Sequence, residues 1–187
     1  MDAFSYLSVL LSIIIGLAIA QVLLGYRGLL LSRARVTLYA PPLIWSALIL
    51  LFATQLWWAS FGLADHEAWT FAAFGMVLLQ TVLLYMSAAL VLPDFPPREA
   101  IDLRDHYFRE ATPFFGVLLA MIAVSLAKDW MLEGRLPEAG NLGFHIVFAG
   151  VAVAAMLIRR PRFHAALAPA AAALSLAYVG LLFSRLD

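Results

Sequence analysis

Seven side chains have the type and placement that could do chemistry: Gln55, Gln80, Ser125, Lys128, Asp129, His145 and Tyr178. Each lies in, or at the edge of, a long apolar stretch, where a polar group is costly and its position points to a site. Gln55 shares a helical face with Trp58 and Gly62 at i+3 and i+7, and Gln80 shares one with Ser87. Ser125, Lys128 and Asp129 fall together at i, i+3 and i+4, while Ser175 and Tyr178 point one way in the last stretch. If these faces converge they form a polar pocket. Gln and Ser would coordinate a small solute or ion in place of its water, Lys128 and Asp129 would set charge preference, and His145 would add a group titrating near neutrality.

Each residue also has a plainer reading. Lys128 and Asp129 lie close to a helix end, where a lysine can snorkel to water and pair with an adjacent acid. Gln55, Gln80 and Gln21 can serve as hydrogen-bond partners between helices. His145 sits at a boundary and can simply be hydrated.

Other chemistry is missing. The chain has no cysteine, which excludes disulfides, thiolate metal sites and thiol nucleophiles. His66, His106, His145 and His164 fall in separate loops or helix ends with no i, i+4 pairing, so neither a metal nor a haem is expected. His106, among charges, reads as a hydrated surface residue. There is no Walker motif, no GxGxxG and no GxSxG, and Asp102 and Asp105 have no second acidic cluster. The expectation is a protein without enzymatic activity and without a cofactor. Zero net charge gives no reason to expect nucleic acid as a partner.

The elements that position these groups are six apolar stretches: Phe4 to Gly25, Leu43 to Leu63, Phe71 to Leu92, Phe114 to Leu132, Leu142 to Ile158, and Phe163 to Phe183. Each is close to the roughly 20 residues needed to cross hydrocarbon as a helix. Of the 187 residues, 64% are hydrophobic and 13% charged, about half the charge of a soluble domain. The fold expected is an all-α integral membrane protein, residues 1–187 forming a single six-helix domain with the lipid bilayer as its first partner. Ala18-Ile19-Ala20 resembles a signal cleavage site, but no basic residue precedes Arg27, so the first stretch is expected to remain as a helix.

Nine of the twelve basic residues occupy three alternate gaps: Arg27, Arg33 and Arg35; Arg98, Arg104 and Arg109; Arg159, Arg160 and Arg162. Lys128, Arg135 and Arg185 fall on the opposite side, which Asp65, Glu67, Glu133 and Glu138 make acidic. Basic residues in short loops stay cytoplasmic, so both termini are expected outside a cytoplasmic (inner) membrane, with most of the intramembrane polar groups in its outer half.

Prolines mark the helix ends: Pro41-Pro42 before the second, Pro93 and Pro96-Pro97 after the third, Thr112-Pro113 opening the fourth, Pro161 before the sixth. Pro169 falls inside the sixth. The connection from Asp94 to Ala111 reads either as a short helix lying on the membrane surface or as a polar connector with aromatic anchors. Ser8–Ala18 resembles Gly116–Ala127, and Leu83–Leu90 can be set against Leu176–Phe183, a weak 3+3 inverted repeat of the kind transporters use.

Tyr6, Trp57, Trp58, Trp69 and Trp130 read as an outer aromatic belt, and Tyr26, Tyr39, Trp45 and Tyr107 as an inner one. The alternative for Trp57-Trp58 is a pocket wall. Gly16 with Ala20, Gly150 with Ala154, and the alanines of the sixth stretch predict close packing within the chain or across a homo-oligomer. The rival to a solute-binding protein is a non-catalytic accessory subunit or assembly factor of a larger membrane complex.

Overall fold

The computed structural model describes residues 3–64, 69–96 and 99–182. Asp65, His66, Glu67, Pro97, Arg98, Phe183 and Arg185 lie outside the described residues. Six helices carry the chain: α1 (Ala3–Leu31), α2 (Ala40–Ala59), α3 (Phe71–Val91), α4 (Leu103–Glu133), α5 (Ala139–Leu157) and α6 (Pro161–Leu182). All six are long and apolar enough to cross a membrane. A short parallel pairing, β1 (Val36–Thr37) with β2 (Ile101–Asp102), ties the α1–α2 connection to the α3–α4 connection.

The helices form because each carries a stripe that buries against its neighbours. In α1 the buried positions are Leu7, Leu11, Ile15, Ala18 and Val22, one narrow seam at helical spacing. Val9, Ile13, Leu17, Leu23 and Leu24 on the same helix are each more than half exposed. A helix apolar all round is stable only where its surroundings are apolar too. In α6 the seam runs His164, Ala168, Ala171, Ser175 and Tyr178.

Two long helices differ from expectation. α1 continues past Gly25 to Leu31, which places Arg27 on the helix rather than in a loop. α4 is one helix of 31 residues, begun by the Asp102 carboxylate accepting from the backbone N–H of Arg104 and Asp105. Pro113 therefore lies inside α4 instead of opening it. Its ring removes one backbone bond, which the buried row Leu103, Tyr107, Ala111, Phe114, Phe115 and Leu118 outweighs. The segment expected as a surface helix or connector is thus the first turns of α4, docked by Tyr107 and Ala111.

His106 is corrected with it. It is 8% exposed, and its Nε2–H donates to the carbonyl of Leu90 at 3.2 Å, so it is packed rather than hydrated. Trp45 and Tyr107 are also core residues, 2% and 4% exposed, rather than members of an interfacial belt. Trp45 stacks edge-on against Phe114 and Phe115 with centroids 5.8 and 5.1 Å apart.

Hydrogen bonds across the connections bring the ends of α1, α3 and α5 together with the starts of α2, α4 and α6. Arg35 donates to the carbonyl of Glu99, Tyr39 to that of Pro161, and Arg159 to that of Phe108. The described arginines of the three basic gaps therefore gather at one end of the bundle, with Lys128 and Arg135 at the other.

Of the small residues expected to pack closely, Ala168 and Ala171 of α6 are buried within the chain, while Gly16 and Gly150 make no close contact there. A Cβ on Gly16 or Gly150 would meet nothing within 4 Å. The close approach occurs at Gly25 and Gly28, where a Cβ would sit 2.7 Å from Leu92 and would run into the ring of Phe95. Gly28→Ala is expected to destabilise the protein by about 1–3 kcal/mol, because the ring of Phe95 must move. Gly16→Ala should instead be neutral or stabilising by up to about 1 kcal/mol through helix propensity. Thermal unfolding of the two variants in detergent checks the contrast; equal behaviour would remove the packing argument.

Candidate functional site

Between α2, α4 and α5 lies a cavity of about 590 Å³. α3 adds Gln80 to its wall and α6 adds Tyr178. Gln55, Gln80, Ser125, Lys128, Asp129, His145 and Tyr178 all line it. Convergence follows from helix geometry: residues three, four, seven and eight apart share a face. The row Leu118, Ile122, Ser125, Asp129 and Leu132 turns one side of α4 inward, opposite Phe52, Gln55 and Leu56 of α2 and Asn141, His145 and Phe148 of α5.

The cavity is graded along its length. Its rim is the α4–α5 connection, where Glu133, Arg135 and Glu138 are exposed, at the end opposite the arginine cluster. The rim ions pair locally: Lys128 with Asp129 at 3.5 Å, and Arg135 with Glu133 at 3.2 Å. The first pair is largely buried, with 15% and 19% of the side chains exposed. Adjacent residues on one helix thus neutralise each other.

Below the rim is a belt of mutually bonded polar groups. The Nδ1–H of His145 donates to the Asn141 carbonyl at 2.9 Å, and Nε2 is bonded to the Ser125 hydroxyl at 3.3 Å. Tyr178 donates to Asn141 Oδ1 at 2.8 Å. His145 is therefore held in place by a four-residue backbone offset and a cross-helix hydroxyl. Sequence reasoning did not single out Asn141, although its offset of four from His145 was a usable signal.

Gln80 lies deeper, about 13 Å along α3 from Phe71 against about 6 Å for Gln55 from the end of α2. It is 8% exposed, and its Oε1 is buried with no hydrogen-bond partner. An unsatisfied buried polar atom costs about 1–3 kcal/mol. Ser87, on the same face, is satisfied by the Leu83 carbonyl at 3.0 Å.

The floor is aromatic and aliphatic: Trp45, Phe115, Val151 and Ala152. Beneath it, Phe115 and Tyr107 stand against His164, with centroids 6.1 and 5.3 Å from the imidazole. His164 is fully buried; Nε2–H donates to the Ile158 carbonyl at 2.9 Å, so Nδ1 accepts from the Tyr107 hydroxyl at 2.8 Å. This lock ties α4 to α6 and to the end of α5 beneath the cavity floor. The sequence placed His164 at a helix end without a partner. The partner, Tyr107, is 57 residues away, and no local spacing reveals it.

Gln21 does not reach the cavity, and neither does the Trp57-Trp58 pair. Trp57 packs on Phe61 at 6.1 Å instead, because its position on α2 turns it away from α4. No residue of α1 lines the cavity, although α4, its counterpart in the weak repeat, lines it throughout. Among the described residues, no group of three or more His, Asp or Glu side chains could hold a metal ion.

No family model matches the chain, and neither a curated protein nor a solved structure matches it. The reading of the site therefore rests on its geometry.

Proposed function

We propose that this chain is a six-span membrane protein, both termini on the outer side of a cytoplasmic (inner) membrane, that binds or passes a small solute through the cavity between α2, α4 and α5. One observation carries the reading: seven polar residues from five helices, scattered between positions 55 and 178, line one cavity. Side chains needed only for local solvation have no reason to share a wall. The exposed apolar faces of α1, α5 and α6 support lipid as their surroundings, with Leu17 53%, Ile146 63% and Leu176 63% exposed. Arginines gathered at one end support the orientation. The aromatic and aliphatic floor of Trp45, Phe115, Val151 and Ala152 favours a binding pocket over an open path.

Cysteine accessibility tests the pocket. The chain has no cysteine, so Ser125→Cys creates a unique thiol inside the cavity wall. A small water-soluble thiosulfonate is expected to modify it within about tenfold of the rate at Glu133→Cys on the rim, since both are reached by water. A thiol at 125 that stays unreactive while the rim thiol is consumed would mean no solute-accessible pocket.

A second reading, an accessory subunit or assembly factor of a larger membrane complex, is favoured by α5. Only Ala152 and Ala155 of that helix are buried, and Gly150 faces open space. Small residues on an exposed face suit a second helix, from another chain or a second copy. The mass of the gently extracted particle separates the readings: a single chain or a homo-oligomer favours the solute pocket, and a stoichiometric foreign subunit favours the accessory role.

A further inference from the structure

At the arginine-rich end of the bundle, away from the cavity, four guanidiniums gather around one tyrosine. Tyr39, just before α2, donates to the Pro161 carbonyl at 3.3 Å, and Arg160 and Arg162 flank that proline. Arg104, in the first turn of α4, stands near the same hydroxyl. Arg159 donates to the carbonyl of Phe108, whose ring lies 6.2 Å from that of Tyr39. All four arginines are exposed, and among the described residues none of them pairs with a carboxylate. Of the acids in the first turns of α4, Asp102 caps the helix and Glu110 pairs with Arg109 at 3.0 Å. That leaves Asp105 beside Arg104, too little to neutralise the cluster.

The surface leading away from the cluster is apolar and shallow. On α6 the exposed residues run Arg162, Ala165, Ala166, Pro169, Ala170 and Ala173, one face turned away from the buried seam. Leu157, two residues before Arg159, is 76% exposed. Charge at the end of a helix and small apolar side chains along it suit a molecule with a phosphate head and a hydrocarbon tail.

We infer that Arg104, Arg159, Arg160 and Arg162 bind the headgroup of an anionic glycerophospholipid in the adjoining leaflet, with one acyl chain lying along the Ala165–Ala173 face of α6. The inference rests on the six-span reading and is independent of the cavity. A guanidinium presents two parallel N–H donors that match a pair of phosphate oxygens. Choline and ethanolamine heads bring an ammonium of their own, which the cluster repels. Charge complementarity therefore selects a net-negative head, of which phosphatidylglycerol is the simplest probe.

Native mass spectrometry of the full chain, released from detergent after titration with phosphatidylglycerol or with phosphatidylcholine of identical chains, reads both affinities. Phosphatidylglycerol is expected to bind about tenfold or more tighter. Arg160→Gln combined with Arg162→Gln should weaken it about fivefold for each arginine removed and leave phosphatidylcholine unchanged. Arg27→Gln combined with Arg33→Gln removes equal charge from the same end but outside the cluster, and should change neither affinity. The side chains of Arg160 and Arg162 are exposed, so the fold does not depend on them. Should the glutamine pair nevertheless fail to fold, Arg160→Lys with Arg162→Lys, which keeps charge and loses the paired donors, should give a smaller loss in the same direction. Neither inorganic phosphate nor glycerophosphoglycerol, offered at the lipid's concentration, should displace the lipid.

Equal affinity for the two lipids, equal losses in the two glutamine pairs, or displacement by inorganic phosphate would each overturn the site. The first would leave the arginines as orientation signals alone, the second a diffuse field, and the third a free-anion site without a role for the chain. Any of these leaves the six-span reading standing. Alkaline carbonate stripping the chain from membranes would overturn that reading and this inference together.

Discussion

Replacing His164 with phenylalanine is expected to lower the unfolding free energy by about 2–3 kcal/mol, a large effect for one residue on a helix end. The ring is fully buried and makes two bonds, to the Ile158 carbonyl and from the Tyr107 hydroxyl. Phenylalanine keeps the aromatic volume against Phe108 and Phe115 but leaves the Tyr107 hydroxyl buried and unpaired and takes the imidazole from the Ile158 carbonyl. A single bond between helices in a bilayer averages only about 0.6 kcal/mol. The larger figure arises because two bonds are lost at once and the Tyr107 hydroxyl is left buried without a partner. Tyr107→Phe removes one of the same bonds, so the double variant should cost little more than His164→Phe alone. Thermal or denaturant unfolding in detergent measures the cycle. Strict additivity, or a loss below about 0.5 kcal/mol for His164→Phe, would show that the lock does not hold α4 to α6.

The second large effect is all-or-none. In intact cells an impermeant maleimide should label Glu133→Cys and leave Arg160→Cys untouched until the membrane is permeabilised. Both positions are exposed, and they sit at opposite ends of the bundle. The physical reason is the retention of arginine-rich loops on the cytoplasmic side. The native chain supplies no competing thiol. The reverse pattern would invert the proposed orientation and make the cavity mouth cytoplasmic. Labelling of both sites in sealed cells would remove the six-span reading altogether.

Much of the site was legible because helical periodicity is local. Ser125 and Asp129 must share a side of any helix containing them, and so must Asn141 and His145. Facing, by contrast, is a property of the bundle. Spacing alone gave Trp58 and Gln55 one face, yet Gln55 lines the cavity and Trp58 does not. Gly16 and Gly150 had the spacing of close contacts, yet Gly25 and Gly28 meet Leu92 and Phe95. Apolar stretches offer many small-residue pairs, and which one is used depends on where the neighbouring connection crosses.

The start of α4 was misread for a related reason. Charges at Arg104, Asp105, Arg109 and Glu110 look like a connector, and Pro113 looks like a helix start. The buried row from Leu103 to Leu118 belongs to the same helix and is visible as such only when the helices it packs against are in place. His106 changed from surface to core on that account.

By itself the sequence determined six helices apolar enough to span a bilayer, the ends at which charge collects, and which polar residues share a helical face. Those follow from composition and from a repeat of 3.6 residues, both properties of contiguous chain. Only the tertiary structure decided that seven polar residues border one cavity, that Gln80 alone among them keeps a buried oxygen without a partner, and that Tyr107 bonds to His164. Those depend on helix rotation and on contacts between residues far apart in sequence, set by how all the helices pack at once.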